Sequence, residues 1–472
     1  MPRNKLMLCL TFVLSGCSFA PQYVPTTTVT PVAFKEAGPW VEATPLDAAP
    51  RGEWWTVFGD KQLNALETQL VAQNPSLAAA AARKAEADAL LQHAKAARFP
   101  TINANADISR NQVSATRPLV NTGNGAGYAS EDFGGVLSYE VDLWGRVRNS
   151  IAAGRGAADA SAADYMSVRL ALQAQLADTY FALRGLDDTL ALLKATIAAD
   201  QRAYDLTKIR HEGGIASGLD ENRALTQLAT AKAQLNDVVT TRATTEHAIA
   251  VLVGALPSAV TITSDAHVIN VPPTQLAPPS MLLQRRPDVA AAERRMYAAN
   301  AQIGVAKAAF FPSLSLGASA GYLTTGSNLF NAPNAFWALG PASTVLNIFD
   351  GGKRRAVARG ARASFDEAAA NYRSTVLTAF QDVEDALAKL HNLQLEVQNQ
   401  HVAASAAQAT LDLALIQYHD GAASFLDVVT AQTAALDAGR AELALHTRQL
   451  QARVDLVRAL GGDYASQLPN QD

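Results

Sequence analysis

The sequence predicts an α+β membrane protein, internally duplicated, with four strands per chain and long paired helices. Three observations predict it. The second half of the 472-residue chain repeats the first at a fixed spacing. No proline falls between Pro118 and Pro257, or between Pro341 and Pro469. Each copy also carries short segments in which polar and apolar residues alternate.

The duplication is clearest at two glycine turns. Gly214, Ser217, Leu219 and Asp220 recur as Gly421, Ser424, Leu426 and Asp427, all at an offset of 207 residues. Upstream, Asn74-Pro75-Ser76-Leu77 matches Arg286-Pro287-Asp288-Val289, and Phe99-Pro100 matches Phe311-Pro312, at an offset of 212. The first copy therefore holds five extra residues between Pro100 and Gly145. A register kept over this length marks a true repeat, which has to be found before any element is assigned.

The N-terminus reads as a secretory signal. Arg3 and Lys5 precede an apolar run, Leu6 to Leu14, that is too short to span a bilayer, which takes about 20 residues. Leu14-Ser15-Gly16-Cys17 closes it and resembles a bacterial lipobox, which makes Cys17 the lipidated first residue of the mature chain. Ser18 after it resembles outer-membrane sorting. Cleavage there also removes Cys9, leaves one cysteine and excludes an intramolecular disulfide. The expected divisions are a signal peptide (1–16), a lipid-anchored extended tether (17–60), a first repeat (61–270: helix, β-hairpin, long helical hairpin), a second repeat (271–465) and a tail (466–472). Glu53-Trp54-Trp55, Phe58-Gly59-Asp60 and Leu63, Leu66 and Leu70 are expected to begin the first helix.

Ile102, Ala104, Ala106 and Ile108 alternate with polar neighbours, as do Leu314, Leu316, Ala318, Ala320 and Tyr322, the period of a strand with two unlike faces. Return strands are expected over Phe133–Leu143 and roughly Phe336–Ile348, the latter interrupted by Pro341. Strands of this length and pattern suit a transmembrane β-barrel; they also suit a small soluble two-hairpin sheet. Four strands cannot close a barrel, since the smallest has eight. If they span a membrane, several chains share one barrel, and three copies would give twelve strands.

The proline-free windows predict helices from Gly145 to about His211 and from Gly352 to about His419, each on the order of 100 Å long. Val383, Leu387, Leu390 and Val397 give a seven-residue repeat suited to side-by-side helices. Return helices follow over Asp220–Val253 and Asp427–Leu460, and Pro257–Pro279 joins the copies.

The chemistry of an active site is missing. Eight scattered histidines form no His-Glu-x-x-His or Cys/His cluster. No cofactor is expected beyond the diacylglycerol and N-palmitoyl groups on Cys17. A net charge of −4 argues against a nucleic-acid partner. Lys353, Arg354, Arg355, Arg359 and Arg362, echoed by Arg146, Arg148 and Arg155, form a basic run that suits a solvated helix face or anionic lipid headgroups.

These residues carry a resemblance to outer-membrane factors of the TolC/OprM type, in their lipoprotein branch. The markers are the lipobox, Trp54-Trp55-x-x-Phe58-x-Asp60, Arg285-Arg286-Pro287-Asp288-Val289, Ile303-Gly304-x-Ala306 with Phe311-Pro312, Phe349-Asp350-Gly351-Gly352, and the two glycine turns. The resemblance covers nearly the whole mature chain. It implies a homotrimer with a twelve-stranded barrel in the outer membrane and a helical tunnel in the periplasm. It also implies service as the exit duct of a tripartite efflux pump, with a periplasmic adaptor and a proton-driven inner-membrane transporter of the resistance-nodulation-division or a related type. A type I secretion duct and a surface coiled-coil lipoprotein are the alternatives. Under this resemblance Gly214, Ser217, Gly421 and Ser424 form the adaptor-docking tip, and Leu426, Asp427 and Asp220 face a periplasmic gate. Family members commonly carry Asp and Arg in the stretch that here reads Thr430-Ala431-Gln432-Thr433, which puts a charge-locked gate in doubt.

Overall fold

The computed structural model describes residues 18–23, 35, 52–112, 114, 127–266, 269–271, 285–326 and 328–462. The expected signal peptide, Cys17 and the tail lie outside the described residues. The first helical elements are a 3₁₀ turn, Trp54–Phe58, and helices α1 (Lys61–Gln73) and α2 (Pro75–Ala96). Strands β1 (Thr101–Gln112) and β2 (Gly127–Val141) precede α3 (Arg146–Glu212) and α4 (Gly218–Leu252). The second copy follows as α5 (Pro287–Ala308), β3 (Ser313–Thr324), β4 (Ala335–Val345), α6 (Lys353–His419) and α7 (Phe425–Ala459). α2 and α5 coincide at the 212 offset, and α3/α6 and α4/α7 coincide at 207, so the duplication holds to the residue. The expected opening helix is corrected. Gly59 adopts a left-handed conformation (φ 68°) that ends the 3₁₀ turn, and Asp60 caps a separate α1 through the Gln62 and Leu63 amides.

The chain divides into two compact units, one of residues 1–26, 84–161 and 291–372, the other of 27–83, 162–290 and 373–472. The first holds one antiparallel sheet in the order β1-β2-β3-β4. Its register lines Ile102, Leu137, Ala318 and Leu339 across one face, and Thr101, Ser138 and Gly317 across the other. β4 keeps this alternation by a break. Ala318 pairs with Leu339 and Leu316 with Ala342, so Gly340 and Pro341 together stand opposite Gly317. The extra residue shifts the apolar phase from odd to even positions, which is why the alternation of β4 reads poorly in the sequence.

In the same unit residues 18–23, expected as part of a loose tether, are fastened to α5 and to the start of α3. Ser18 donates to Asn149 Oδ1 at 3.0 Å, Asn300 donates to the Pro21 carbonyl at 2.9 Å, and the Tyr23 hydroxyl donates to Glu293 Oε1 at 2.6 Å. Burial and Glu293 both push the Tyr23 hydroxyl up, so it stays a donor. The basic run is partly neutralised: Arg146 pairs with Glu140, Arg148 with Asp142, Arg354 with Asp350 and Arg362 with Asp366.

The second unit is helical. Trp54, Phe58, Leu63 and Leu70 pack with Tyr180, Phe181 and Leu183 of α3, Ile249 of α4, and Val454 and Val457 of α7 into one buried core. Burying each such side chain contributes about 1.5–3 kcal/mol. Val376, Ala379, Val383, Leu387 and Leu390 give this unit's part of α6 a buried stripe at helical spacing. The return helices end alike in both copies. Asn74 donates to the Leu252 carbonyl at 2.7 Å, and its repeat partner Arg286 donates to the Ala459 carbonyl at 3.2 Å.

Candidate functional site

The sites predicted from sequence gather at the turns α3–α4 and α6–α7. Both helices stop for the same reason. Gly214 (φ 72°) and Gly421 (φ 78°) take the left-handed conformation that a side chain disfavours. Their amides bond back to the His211 and Tyr418 carbonyls at 2.9 and 3.2 Å. One residue on, the amides of Ile215 and Ala422 bond to the Arg210 and Gln417 carbonyls, both at 2.8 Å. This paired pattern is the Schellman motif, and it gives both glycines a helix-ending role.

Ser217 and Ser424 are the N-caps of α4 and α7. Ser217 Oγ accepts from the Leu219 amide at 3.1 Å. Ser424 and Asp427 form a full capping box: the Ser424 amide and hydroxyl donate to Asp427 Oδ2 at 3.0 and 2.7 Å. These bonds hold the exposed Asp427 carboxyl below its ordinary range. Asp220 is engaged in its own turn as well, with Arg223 at 3.4 Å. Leu426 is 49% exposed and its repeat partner Leu219 is 59% exposed, so two leucines stand free on the turns. Thr430 and Thr433 spend their hydroxyls on the Leu426 and Val429 carbonyls, at 2.8 and 2.9 Å.

Two residues that the motif reading passed over join the turns. Arg210 donates to the carbonyls of Tyr418 and His419 at 3.1 and 3.0 Å, and its guanidinium lies 4.8 Å from the Tyr418 ring centroid. Tyr418 meets Phe425 edge-on at 5.3 Å, within a buried cluster that also takes in Ala224, Ala414 and Val428. The available signal was a mismatch: the repeat partner of Arg210 is Gln417, so the capping arginine exists in one copy only.

The profile of the family described as "Outer membrane efflux protein" matches residues 66–255 and again 279–462. The chain belongs to the outer membrane efflux protein family. The double match falls on the two repeats. The probable efflux pump outer membrane protein TtgC of Pseudomonas putida is 33% identical over 478 residues, covering 99% of this chain and 97% of its own length. Among solved structures, the outer-membrane channel OprN superposes with a TM-score of 0.87 at 29% identity, over 94% of this chain and 99% of its own. The Campylobacter jejuni CmeC outer membrane channel superposes at 0.89 and 25% identity, over 96% of both chains. This efflux protein accordingly has its place in the outer membrane and serves as the exit duct of an efflux system. Its fold is the expected α+β one, with four strands per chain for a transmembrane barrel and long paired helices for the tunnel. Among the described residues no helix is long and apolar enough to cross a membrane, and no three metal-ligating side chains cluster.

Proposed function

We propose that three copies of this efflux protein close their sheets into one twelve-stranded barrel and act as a passive duct for small toxic compounds. The observation that carries this reading is the sheet. β1 and β4 are both edge strands, and Ile102, Ile108, Trp337 and Leu339 expose 75–87% of their surface. A long open edge beside an exposed apolar face is an aggregation hazard unless a neighbouring strand pairs with it and lipid covers the face. Cys17 carries the lipid anchor in this reading. A periplasmic adaptor docks on the small side chains of Gly214, Ser217, Gly421 and Ser424. A proton-driven inner-membrane transporter supplies the energy, and the duct itself catalyses nothing.

At the tip, Leu426 excludes water from the narrowed end while Asp427 and Asp220 favour cations there. The test is electrical. Purified protein in planar bilayers should conduct as a trimer, with higher conductance in Leu426→Ala and weaker cation preference in Asp427→Ala. A detergent-solubilised monomer whose gel migration does not change with heating would refute the shared barrel. Unchanged traces in both variants would remove these residues from the gate.

A further inference from the structure

In the helical unit a polar layer separates two apolar clusters. One cluster is Leu190, Leu193, Val238 and Leu436; the other, beside the turns, joins Tyr204, Ala224, Phe425, Val428 and Ala431. Asp200 of α3 lies between them in sequence and is 2% exposed. Neither of its carboxyl oxygens has a hydrogen-bond partner among the described residues.

The helix registers fix what faces Asp200. Arg242 donates to Asp187 and Lys232 to Gln201, which sets Asp200 level with Ala231 and one turn from Gln234 of α4. A Cβ on Gly185 would strike Thr447, and one on Gly439 would meet Leu192, which sets Asp200 level with Gln432 of α7. Gln432 is 5% exposed, and Gln234 Oε1 is a buried acceptor with no partner among the described residues. The repeat partners of Asp200, Gln234 and Gln432 are Ala407, Ala441 and Leu225, so the layer has no counterpart in the other copy.

An unpartnered carboxylate in an apolar bundle bears a desolvation cost that a proton or entering water relieves. Burial alone pushes the Asp200 carboxyl up, to about 6. The charged residues near this level are Lys194 and Arg202 of α3, Lys232 of α4, Asp412 of α6 and Asp437 of α7. All are exposed, and none pairs with Asp200. With its proton Asp200 gains a donor, and Gln234 Oε1 is an acceptor that lacks one.

We propose that this layer is a proton-controlled hinge: protonated Asp200 keeps the cluster at the turns docked on the rest of the bundle, and ionised Asp200 releases it. The layer lies about 18 Å from the end of α3, at 1.5 Å per residue. Ionisation draws water to the carboxylate, loosens α3 against α4 and α7, and frees the turns that carry Leu219 and Leu426. The docked form gains most below about pH 4, the ordinary aspartate range, and loses that gain as pH rises through about 6. The consequence for conduction rests on the duct reading above; the hinge itself does not.

The test is amide exchange on the purified protein at pH 5 and pH 7.5, corrected for intrinsic rates. In wild type, exchange at 204–210 and 425–431 should quicken at least about tenfold at the higher pH, while 186–193 stays unchanged. Asp200→Asn keeps the shape and cannot ionise, so it should stay slow at both values. Asp437→Asn, near the same level but exposed, should follow wild type. Wild-type protection that ignores pH, or a pH step that survives in Asp200→Asn, overturns the hinge. In planar bilayers the open fraction should rise over the same interval in wild type and stay flat in Asp200→Asn. Conduction that ignores pH while exchange follows it overturns the hinge's part in opening. Protein that conducts at no pH counts against the duct reading alone, since exchange still decides the hinge.

Discussion

Arg210 at the end of α3 caps the end of α6, donating to the Tyr418 carbonyl at 3.1 Å while its guanidinium covers the Tyr418 ring. A helix C-terminus carries a partial negative charge, and an arginine there both bonds its orphan carbonyls and complements the dipole. The contact ties one repeat to the other at the turns, and Gln417 cannot return it.

Replacing Arg210 with Gln, the residue its repeat partner uses, should therefore loosen the α6–α7 turn while leaving α3 helical. Hydrogen bonds from a charged donor contribute about 1.5–3 kcal/mol, with less expected for a half-buried one, and the ring contact adds about 0.5–1. Amide exchange at Asp420–Ala423 should quicken by at least about tenfold, with exchange in the middle of α3 unchanged. Equal protection in both proteins would make the contact incidental.

Ser424→Ala removes one side of the capping box and should cost about 1 kcal/mol of local stability in the first turn of α7. The loss should also have a pH signature. The folded pKa of Asp427 lies below its unfolded value, so its contribution is present above that unfolded value and disappears as pH falls through the folded one. Amide exchange of Phe425–Val428, followed from pH 7 downward after correction for intrinsic rates, should separate the variant from wild type at pH 7 and progressively less as the pH falls through the lowered folded pKa of Asp427.

The ends of the long helices were legible because a glycine after a helical run has one local reason to be there. Gly214 and Gly421 announce left-handed turns from neighbours within a few residues, whereas Ser217 and Ser424, read from the sequence only as part of a docking tip, turn out to be N-caps. The strands were legible wherever alternation was unbroken, and failed at β4, where the pair Gly340–Pro341 inverts the phase. The seat of residues 18–23 was invisible for a different reason. Its partners Trp144, Asn149, Tyr297 and Phe311 lie more than 120 residues away, and no local pattern distinguishes a docked segment from a tether. Arg210 and Asp187 were missed in the same way, since each acts across elements.

Asp187 binds a polar network that only the first repeat possesses. It is 1% exposed and accepts from Arg184 Nη1 at 3.0 Å, Arg242 Nε at 2.6 Å and Ser264 Oγ at 2.7 Å. The repeat partners of Asp187, Arg184 and Arg242 are Gln394, His391 and Gln449. Asp187→Ala leaves two largely buried guanidinium groups without their shared carboxylate, a loss of about 3–5 kcal/mol for a pair of this kind. The variant should show markedly lower heat resistance of the folded species on gels, whereas Gln394→Ala should not. Similar behaviour of the two variants would deny the network its part in stability.

Asp178 should make the helical unit more stable in acid. Burial first, and then the neighbouring Asp455, push its carboxyl up to about 7, against the opposing pull of Arg458 and Lys389. Its Oδ1 is buried with no hydrogen-bond partner among the described residues. A free aspartate titrates near 3.9, so between about pH 4 and pH 7 the folded chain binds more protons at this site than the unfolded one. Stability from this group is complete below about pH 4 and is lost as pH rises through about 7. Glu67 and Asp200, both raised by burial, act in the same direction. Asp178→Asn removes the ionisation while keeping the shape. It should therefore be more stable than wild type at pH 8 by at least about 1 kcal/mol, since one pKa unit corresponds to about 1.4. At pH 4 the two should be nearly equal. Denaturant unfolding at both values decides it: a variant destabilised equally at pH 4 and pH 8 would show that Asp178 is held charged by Lys389 and Arg458, and the sign of the coupling would reverse.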